Sequence, residues 1–301
     1  MGPSGTFTEQ ALRGQPDLAA ADTRAIGSIP DVLNALVTGE IDAGFVPIEN
    51  AIEGAVNVTQ DALAFDMDLS IQREVVLDVQ LNLLALPGSS LSDITTVVSF
   101  PVANAQCRAF LRDRLPGAEV QVASSTADAA RLVSEGELRG VAAISNPLAA
   151  DIYGLVSVAE AIEDHPGNQT RFLLLARDGI PAPTGHDKTS LVVFQRANQP
   201  GSLLAILQEF AARNINLTRL ESRPTRRGLG DYCFVLDLVG HIGDEVVADC
   251  LRDLKMKQGD VKFLGSYPAA GDGSGQVRRD NDEQWRQADE WMQTLRDAVR
   301  D

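Results

Sequence analysis

Two stretches of this chain, 97 residues apart, carry the same pattern of helix, glycine and strand. In the first, a helix begins at Ser28, ends at Gly39 and is followed by a strand over 41–46; in the second, Ser125 and Gly136 hold the matching positions. The further matches are Asp31 with Asp128, Glu40 with Glu137 and Ile41 with Leu138. Such a spacing is too long for a solenoid repeat and fits a small α/β unit. The pattern predicts two similar α/β lobes, with a chance match over few residues as the alternative.

Polar residues follow both repeated strands at the point where each strand ends. Asn50 closes the first strand region, and Ser145 and Asn146 stand at the equivalent place in the second. Ligands of open α/β sheets bind beyond the carboxyl ends of the strands. We therefore expect these positions to face one cleft.

A segment rich in glycine and proline, 179–187, separates the repeated part of the chain from a compact second unit. The elements of that unit, over 188–268, follow the order βαββαβ, which predicts a ferredoxin-like sandwich in a chain of the α/β class. The predicted organisation is a first domain over 1–178 (lobe 1 about 1–75 and 165–178, lobe 2 about 76–164), the linker, the second domain, and a polar tail over 269–301. An amphipathic helix in the tail is predicted from Trp285, Ala288, Met292, Leu295 and Val299.

The composition excludes several classes of function. The 42 acidic residues outnumber the 26 basic ones, and a net charge of −16 argues against a nucleic acid as partner. Cys107, Cys233 and Cys250 form neither a disulfide framework nor a CxxC pair, so we expect three buried, apolar thiols. The three histidines lack metal-ligand spacing, and neither nucleotide-binding glycine motif occurs. We expect chemistry without metal or cofactor.

No apolar run approaches the roughly 18 residues of a membrane-spanning helix, and the N-terminus lacks a signal-peptide pattern. We therefore expect a protein of the cytoplasm with no membrane partner.

A polar loop over 164–172 runs directly into the apolar residues 173–175. Thr170 and Arg171 in this loop place a hydroxyl beside a guanidinium at the edge of a predicted strand, where a cleft can form. Such a pair suits an anionic substrate. An ordinary loop that enters a strand is the alternative.

Two strand-to-helix turns carry further hydrogen-bonding side chains. A glycine-rich loop enters a helix with Thr6 or Thr8 as its cap, which suits an anion. Such loops usually follow a buried strand, but here the given sequence begins at the loop. Either the strand lies upstream, or another segment takes its place in the sheet. If it lies upstream, we expect that restoring it raises the stability of the protein. Ser99 and Gln106 lie near a second turn, after a strand that stops at Pro101.

Four motifs, read together, resemble prephenate dehydratases that carry a C-terminal ACT domain. They are Gly-Pro-Ser-Gly-Thr-Phe-Thr at 2–8, Val-Pro-Ile-Glu-Asn at 46–50, Asn-Gln-Thr-Arg-Phe at 168–172 and Glu-Ser-Arg-Pro at 221–224. The resemblance runs in order from the first loop to about Tyr267. It implies a two-lobed catalytic domain like a periplasmic binding protein, followed by a ferredoxin-like ACT domain.

The resemblance implies a carbon–oxygen lyase that converts prephenate to phenylpyruvate, with loss of carbon dioxide and water, in phenylalanine biosynthesis. Thr170 is then the catalytic residue that hydrogen-bonds or protonates the departing hydroxyl, and Arg171 either offsets carboxylate charge or has a structural role. The substrate-binding positions that the resemblance implies are Thr6, Thr8, Asn50, Ser99, Gln106 and, through packing, Phe172.

The family usually has the run serine-histidine-proline-glutamine at this point. In this chain Phe100 stands in place of the histidine and Val102 in place of the glutamine. If that histidine were an obligatory acid, the protein would be inactive. Two alternatives therefore stay open beside the prephenate dehydratase. One is a catalytically silent, phenylalanine-sensing ACT protein, and the other is an arogenate dehydratase, whose substrate carries an amino group in place of the keto group.

The resemblance also implies that L-phenylalanine inhibits the enzyme by binding between paired ACT domains of a homodimer or homotetramer. The positions concerned form a helix start and a strand end. They are Asn198, Gly201, Ser202, Leu203 and Leu204, and Glu221, Ser222, Arg223 and Pro224.

Overall fold

The computed structural model describes residues 3–137, 139–226, 228, 230–271, 287 and 290–298. Its contacts group the chain into two compact units. The N-terminal unit holds Met1–Gln60 and Val75–Leu173, and the C-terminal unit holds Asp61–Glu74 and Leu174–Asp301. The domain boundaries inferred from the sequence stay a prediction, but residues 61–74 group with the C-terminal unit rather than with the first lobe.

The N-terminal part of the chain alternates helices and short strands. The helices are α1 (Phe7–Arg13), α2 (Pro16–Ala19), α3 (Ile29–Thr38), α4 (Asn57–Asp61), α5 (Pro101–Gln106), α6 (Arg108–Arg114), α7 (Thr126–Glu135) and α8 (Pro147–Tyr153). The strands are β1 (Gly44–Asn50), β2 (Gly54–Ala55), β3 (Ser70–Asp78), β4 (Asn82–Ala85), β5 (Thr96–Ser99), β6 (Glu119–Val122), β7 (Val141–Ser145), β8 (Val156–Ala159) and β9 (Gln169–Ala176). A π-helical turn, Ala62–Asp66, continues α4, and a 3-10 turn, Leu91–Asp93, precedes β5.

These strands form two sheets, one with the order β2-β1-β9-β3 and one with the order β6-β5-β7-β4-β8. In the second sheet β5 runs parallel to β6 and β7, whereas β4 runs antiparallel to β7 and β8. Apolar clusters cover this sheet, with Leu83, Val97 and Ile144 in one and Leu84, Val98 in another. Alternate residues of β4, β5 and β7 thus face two different cores, which identifies these central strands as buried on both sides, whereas the edge strand β6 is exposed.

The predicted repeat is confirmed at the N-terminal ends of its two helices, whereas the matched glycines differ, because Gly136 ends α7 with a φ of −80°. Ser28 caps α3 by accepting a hydrogen bond from Asp31 N at 3.3 Å, and Ser125 caps α7 by accepting one from Asp128 N at 2.9 Å. Gly39 ends α3 with a φ of 78°, a left-handed conformation that favours glycine. The strand after the first helix lies in the first sheet, and its counterpart lies in the second. Leu138, one of the matched positions, lies outside the described residues.

Two segments carry the chain between the sheets, one from β3 to β4 and one from β8 to β9. They hydrogen-bond to each other, because Val79 N donates to Asn168 O and Ile162 N donates to Leu81 O, each at 2.8 Å. Thr170 lies just beyond the second segment, at the start of β9. The crossing therefore fixes the position of the predicted catalytic residue.

The C-terminal unit contains the predicted ferredoxin-like sandwich. Its elements are β10 (Asp187–Phe194), α9 (Ser202–Ala211), β11 (Leu217–Pro224), β12 (Tyr232–Val239), α10 (Glu245–Lys257) and β13 (Asp260–Pro268). The sheet order is β11-β12-β10-β13, with antiparallel neighbours throughout. The order βαββαβ and this arrangement confirm the predicted fold.

The two faces of the C-terminal sheet differ. The helix-covered face is apolar and includes Leu191, Phe234 and Leu236. The opposite face meets the first residues of β3, since a Cβ on Gly265 would lie only 2.7 Å from Ile71 O. Glycine at 265 is therefore required for this close approach.

The three cysteines are buried, free thiols, as predicted. Burial raises the pKa of Cys107 to about 12, that of Cys233 to about 11 and that of Cys250 to about 12. At neutral pH these thiols are protonated and behave as small apolar side chains.

Residues 290–297 of the predicted tail helix are helical, whereas Trp285, Ala288 and Val299 lie outside the described residues. Within the described part of the chain, no helix has the length and apolar character that crossing a membrane requires.

Candidate active site

The Thr170 hydroxyl is held by an asparagine from the neighbouring strand. Asn50, the last residue of β1, donates a hydrogen bond from Nδ2 to Thr170 Oγ1 at 2.9 Å. Both side chains are half-buried. Two residues 120 positions apart in the chain, both predicted as site residues, are therefore in direct contact.

The direction of that hydrogen bond is set by the backbone beside Asn50. Asn50 Oδ1 accepts hydrogen bonds from Ile52 N and Glu53 N, both at 3.0 Å, so the amide oxygen must face the backbone and the NH₂ group must face Thr170. Thr170 Oγ1 is consequently an acceptor in this pair. Among the described residues the Thr170 hydroxyl makes no hydrogen bond as a donor, so its proton is available to a ligand.

A ring of side chains closes around this pair. Glu53 Oε1 accepts a hydrogen bond from Gln106 Nε2 at 3.4 Å, and Gln106 Oε1 accepts one from Asn168 Nδ2 at 3.3 Å. Because Asn168 lies two residues before Thr170, the ring returns to its starting point. Gln106, predicted from a different turn of the chain, is thus connected to Thr170 through Glu53 and Asn50.

Arg171 and Phe172 extend the site along β9. Arg171 Nη1 lies 3.6 Å from Glu49 Oε2, so its charge is partly balanced from β1. Phe172 is buried and stacks on Phe45, with ring centroids 5.4 Å apart and an angle of 13° between the planes. Its contacts are those of a packing residue that holds β9 against β1.

The remaining predicted substrate-binding residues make other contacts. Thr6 Oγ1 caps α1 by accepting from Glu9 N at 3.2 Å, and Thr8 is buried in the first turn of that helix. Ser99 is fully buried at the end of β5, and its hydroxyl donates to Ile144 O at 2.6 Å. Within the described residues, none of these three side chains makes a hydrogen bond to Thr170.

The loop before α1 packs closely on α8. A Cβ on Gly5 would lie 3.2 Å from the Cα of Ala149, and Tyr153 Oη donates to Ser4 O at 2.8 Å. Gly5 has a φ of 88°, so both its conformation and the close approach require glycine. This packing holds the hydroxyls of the loop beside the residues that follow β7.

Two residues of the site, Glu53 and Asn168, were not singled out from the sequence, whereas Ser145 and Asn146 were. Glu53 and Asn168 complete the ring around Thr170, and Asn168 had a signal only as part of a motif. Asn146 Nδ2 and Ser145 Oγ are buried and, within the described residues, have no hydrogen-bond partner. The repeat had pointed to both positions as a strand end.

Phe100 stands where the resembling family has a polar residue, and it is 42% exposed. It precedes Pro101, the first residue of α5, and provides no side-chain cap to that helix. An exposed aromatic ring here offers apolar contact but no proton.

A concavity of about 540 Å³ lies on the C-terminal unit at the start of α9. It brings together six of the nine predicted effector residues, which are Asn198, Gly201, Ser202, Leu203, Leu204 and Ser222. Gly201 caps the helix with a φ of 88°, and Ser202 Oγ accepts from Gln199 N at 3.1 Å. The other three, Glu221, Arg223 and Pro224, belong to the same strand but do not line the concavity.

Two known protein families match successive parts of this chain. The sequence model of the family described as prephenate dehydratase matches residues 1–180, and that of the ACT domain matches residues 189–255. The chain belongs to the prephenate dehydratase family. The family resemblance inferred from four motifs is confirmed, as is the predicted fold class.

Full-length relatives agree with this assignment. The prephenate dehydratase of Mycobacterium marinum is 43% identical over 311 residues, which cover 99% of this chain and 95% of that protein. The crystal structure of the Arthrobacter aurescens prephenate dehydratase in complex with L-Phe matches with a TM-score of 0.88 at 39% identity and covers 99% of this chain and 98% of the other. A structure of GqqA, described as a quorum-quenching acylase, matches with a TM-score of 0.80 at 29% identity over 89% of this chain and 96% of its own.

Asn50→Asp tests the direction of the hydrogen bond in this member of the family. A carboxylate at 50 still accepts from the backbone, but it also accepts the Thr170 proton and removes it from the ligand. We expect kcat to fall by about 10²-fold although the side chain keeps its shape. Steady-state kinetics measures the effect, with Asn216→Asp, an exposed residue of the C-terminal unit, as the isosteric control. An Asn50→Asp protein with unchanged kcat would contradict the assigned direction.

Proposed function

We propose that this member of the prephenate dehydratase family is a carbon–oxygen lyase that converts prephenate to phenylpyruvate. The bond between the ring and its carboxylate breaks, and its electron pair completes the aromatic ring. The ring C–O bond breaks at the same time, and the hydroxyl leaves as water after gaining a proton. Aromatisation supplies the driving force, so the protein needs only to position the dianion and assist the leaving hydroxyl.

The observation that carries this proposal is the Thr170 hydroxyl, which accepts from Asn50 and keeps its own proton available. We assign that proton to a hydrogen bond with the departing hydroxyl. This bond strengthens as negative charge develops on the leaving oxygen, so it stabilises the transition state more than the bound substrate. The ring of Glu53, Gln106 and Asn168 holds the donor in place before substrate arrives.

The two carboxylates of prephenate need donors, but one of them must leave as carbon dioxide and the other must leave with the product. Neutral groups suit this requirement because they do not bind the product too tightly. Thr6, Thr8, Asn50, Ser99 and Gln106 remain the proposed substrate-binding positions, with Phe172 contributing through packing. Arg171 is proposed to offset carboxylate charge, moderated by Glu49 at 3.6 Å.

We propose that L-phenylalanine regulates this reaction from the concavity at the start of α9. The relative from Arthrobacter aurescens was crystallised with L-Phe and covers nearly the same length of chain, which supports the proposal. A helix start offers backbone N–H groups to a carboxylate, and Leu203, Leu204 and Phe234 offer apolar contact to an aromatic ring.

The ACT domain is proposed to pair side by side with that of a second copy, in a homodimer or homotetramer. β11 lies at one edge of the sheet, and Leu204, Leu220 and Tyr232 beside it are 59%, 43% and 41% exposed. A partner would cover the unpaired edge and these apolar side chains. We expect light scattering at micromolar concentration to give the mass of a dimer or tetramer, and a monomer would refute the pairing.

The location of the protein in the cytoplasm stays a prediction.

The experiment that tests the proposed function compares prephenate and arogenate as substrates for the purified protein. We expect the higher kcat/KM for prephenate. A preference for arogenate would make the protein an arogenate dehydratase, and turnover of neither, with phenylalanine still bound, would make it a silent sensor.

A further inference from the structure

Asp61 is the centre of an ion-pair cluster inside the C-terminal unit. Its Oδ1 accepts hydrogen bonds from Arg223 Nη2 at 2.6 Å and from Arg223 Nε at 3.0 Å. Its Oδ2 accepts from Arg226 Nη2 at 3.2 Å. One carboxylate is thus held by two guanidinium groups from the strand end that carries the Glu-Ser-Arg-Pro motif.

The cluster extends along the π-helical turn that follows α4. Arg226 Nη1 lies 3.1 Å from Asp66 Oδ1, and its guanidinium stands over the Phe65 ring at 5.0 Å from the centroid. Phe65 in turn meets the Phe194 ring edge-on at 6.2 Å. Turns of this kind are often found at functional sites, and here the turn is clamped by charge on one side and by aromatic contact on the other.

Arg223 and Ser222 are adjacent residues of β11 that point to opposite faces of the sheet. Ser222 lies opposite Phe234 and lines the concavity at the start of α9. Arg223 lies opposite Cys233 and reaches Asp61 on the other face. A ligand that shifts this strand end therefore shifts the group that holds Asp61.

Asp61 is also the last residue of α4, and the rest of that helix belongs to the N-terminal unit. Thr59 is fully buried, and its Oγ1 donates to Pro47 O at 2.7 Å. Val56 N donates to Ile48 O at 2.8 Å. Two bonds thus tie α4 and the residue before it to β1, the strand that ends in Asn50.

We propose that Asp61 is the relay through which an effector in the concavity controls the Thr170 site. Movement of Arg223 changes its hold on Asp61, the covalently continuous α4 follows, and the bonds to Pro47 and Ile48 carry the displacement along β1 to Asn50. Asn50 then loses the alignment that leaves the Thr170 proton available. This inference rests on the proposed function, because it assumes both phenylalanine regulation and the role of Thr170.

Asp61→Asn tests the relay, because it removes the charge and keeps the shape. We expect the ratio of kcat/KM without and with saturating L-phenylalanine to fall by about tenfold or more. The uninhibited kcat and the dissociation constant for L-phenylalanine, measured by calorimetry, should stay within about threefold of the wild-type values. Asp61→Glu retains the charge and should retain part of the inhibition.

Asp253→Asn is the matched control. Asp253 is 25% exposed against 24% for Asp61 and is likewise bound by two cations, Arg213 and Lys257, but it lies on α10. We expect this variant to be inhibited like the wild type. Should Asp61→Asn fail to fold, as judged by its melting temperature, Arg226→Gln is measured in its place with a smaller loss of inhibition expected.

The outcomes separate the relay from the proposed function. Full inhibition of Asp61→Asn, or of Arg226→Gln in its place, would overturn the relay alone. Loss of L-phenylalanine binding by Asp61→Asn would overturn it too, by making Asp61 part of the binding site. A wild-type protein that converts prephenate but does not bind L-phenylalanine would overturn the regulatory proposal and the relay together.

Discussion

Thr170→Val is expected to lower kcat for prephenate by roughly 10²- to 10³-fold while KM changes little. Valine keeps the shape of threonine but removes the hydroxyl that we assign to the departing oxygen. Because that bond is strongest in the transition state, its loss affects turnover far more than binding. Steady-state kinetics at several prephenate concentrations separates the two parameters.

Thr170→Ser is the control, since serine restores a hydroxyl that can accept from Asn50 and donate to the substrate. We expect Thr170→Ser to recover most of the activity that Thr170→Val and Thr170→Ala lose. The double variant Thr170→Val, Arg171→Gln should lose less transition-state stabilisation than the sum of the losses in the two single variants, because the residues are neighbours in one site. A Thr170→Val protein with wild-type kcat would remove Thr170 from the mechanism.

Gly201→Leu is expected to abolish inhibition by L-phenylalanine and to leave uninhibited turnover unchanged. A Cβ on Gly201 meets no atom of the protein within 4 Å, so a leucine fits within the concavity and occupies the space proposed for the effector. The φ of 88° also places leucine in a left-handed conformation, which costs about 1–2 kcal/mol of stability. Calorimetry with L-phenylalanine and inhibition assays measure the two consequences.

Gly88→Leu separates lost binding from backbone strain. Gly88 has a φ of 84° and open space around its Cβ position, but it lies in the N-terminal unit. The melting temperature should fall by a similar amount in the two variants. Only Gly201→Leu should no longer be inhibited by L-phenylalanine. Inhibition that survives Gly201→Leu, or that is purely competitive with prephenate, would contradict the assigned effector site.

Elements with local signals could be predicted from the sequence. Ser28 and Ser125 each cap their helix by hydrogen-bonding a residue three positions on, and Gly39 supplies a left-handed end. These contacts form between near neighbours, so composition and spacing reveal them.

The predicted strand over 41–46 was misplaced, because β1 begins at Gly44 and continues through Pro47 to Asn50. A proline usually ends a strand. Here Pro47 lies outside the pairing of β1 with β2, which joins Glu49 to Ala55 and Asn50 to Gly54, and its carbonyl accepts a hydrogen bond from the Thr59 hydroxyl. The longer strand is what brings Asn50 to Thr170.

Contacts between residues far apart in the chain could not be predicted from the sequence. Glu53, Gln106 and Asn168 meet only because the crossing segments bring three separate turns together. Likewise, the grouping of residues 61–74 with the C-terminal unit depends on contacts such as Arg223 with Asp61, 162 positions apart. Taken singly in the sequence, none of these residues indicates its distant partner.

The proposed reaction is tested most directly by measuring two of its three products, carbon dioxide and phenylpyruvate, formed from prephenate by the purified wild-type protein without any added cofactor. Carbon dioxide and phenylpyruvate should form in equal amounts, at a rate well above that of the solution without protein. Absence of both products, from a protein that still binds L-phenylalanine, would contradict the proposed catalytic role of Thr170 and its ring and leave a phenylalanine sensor.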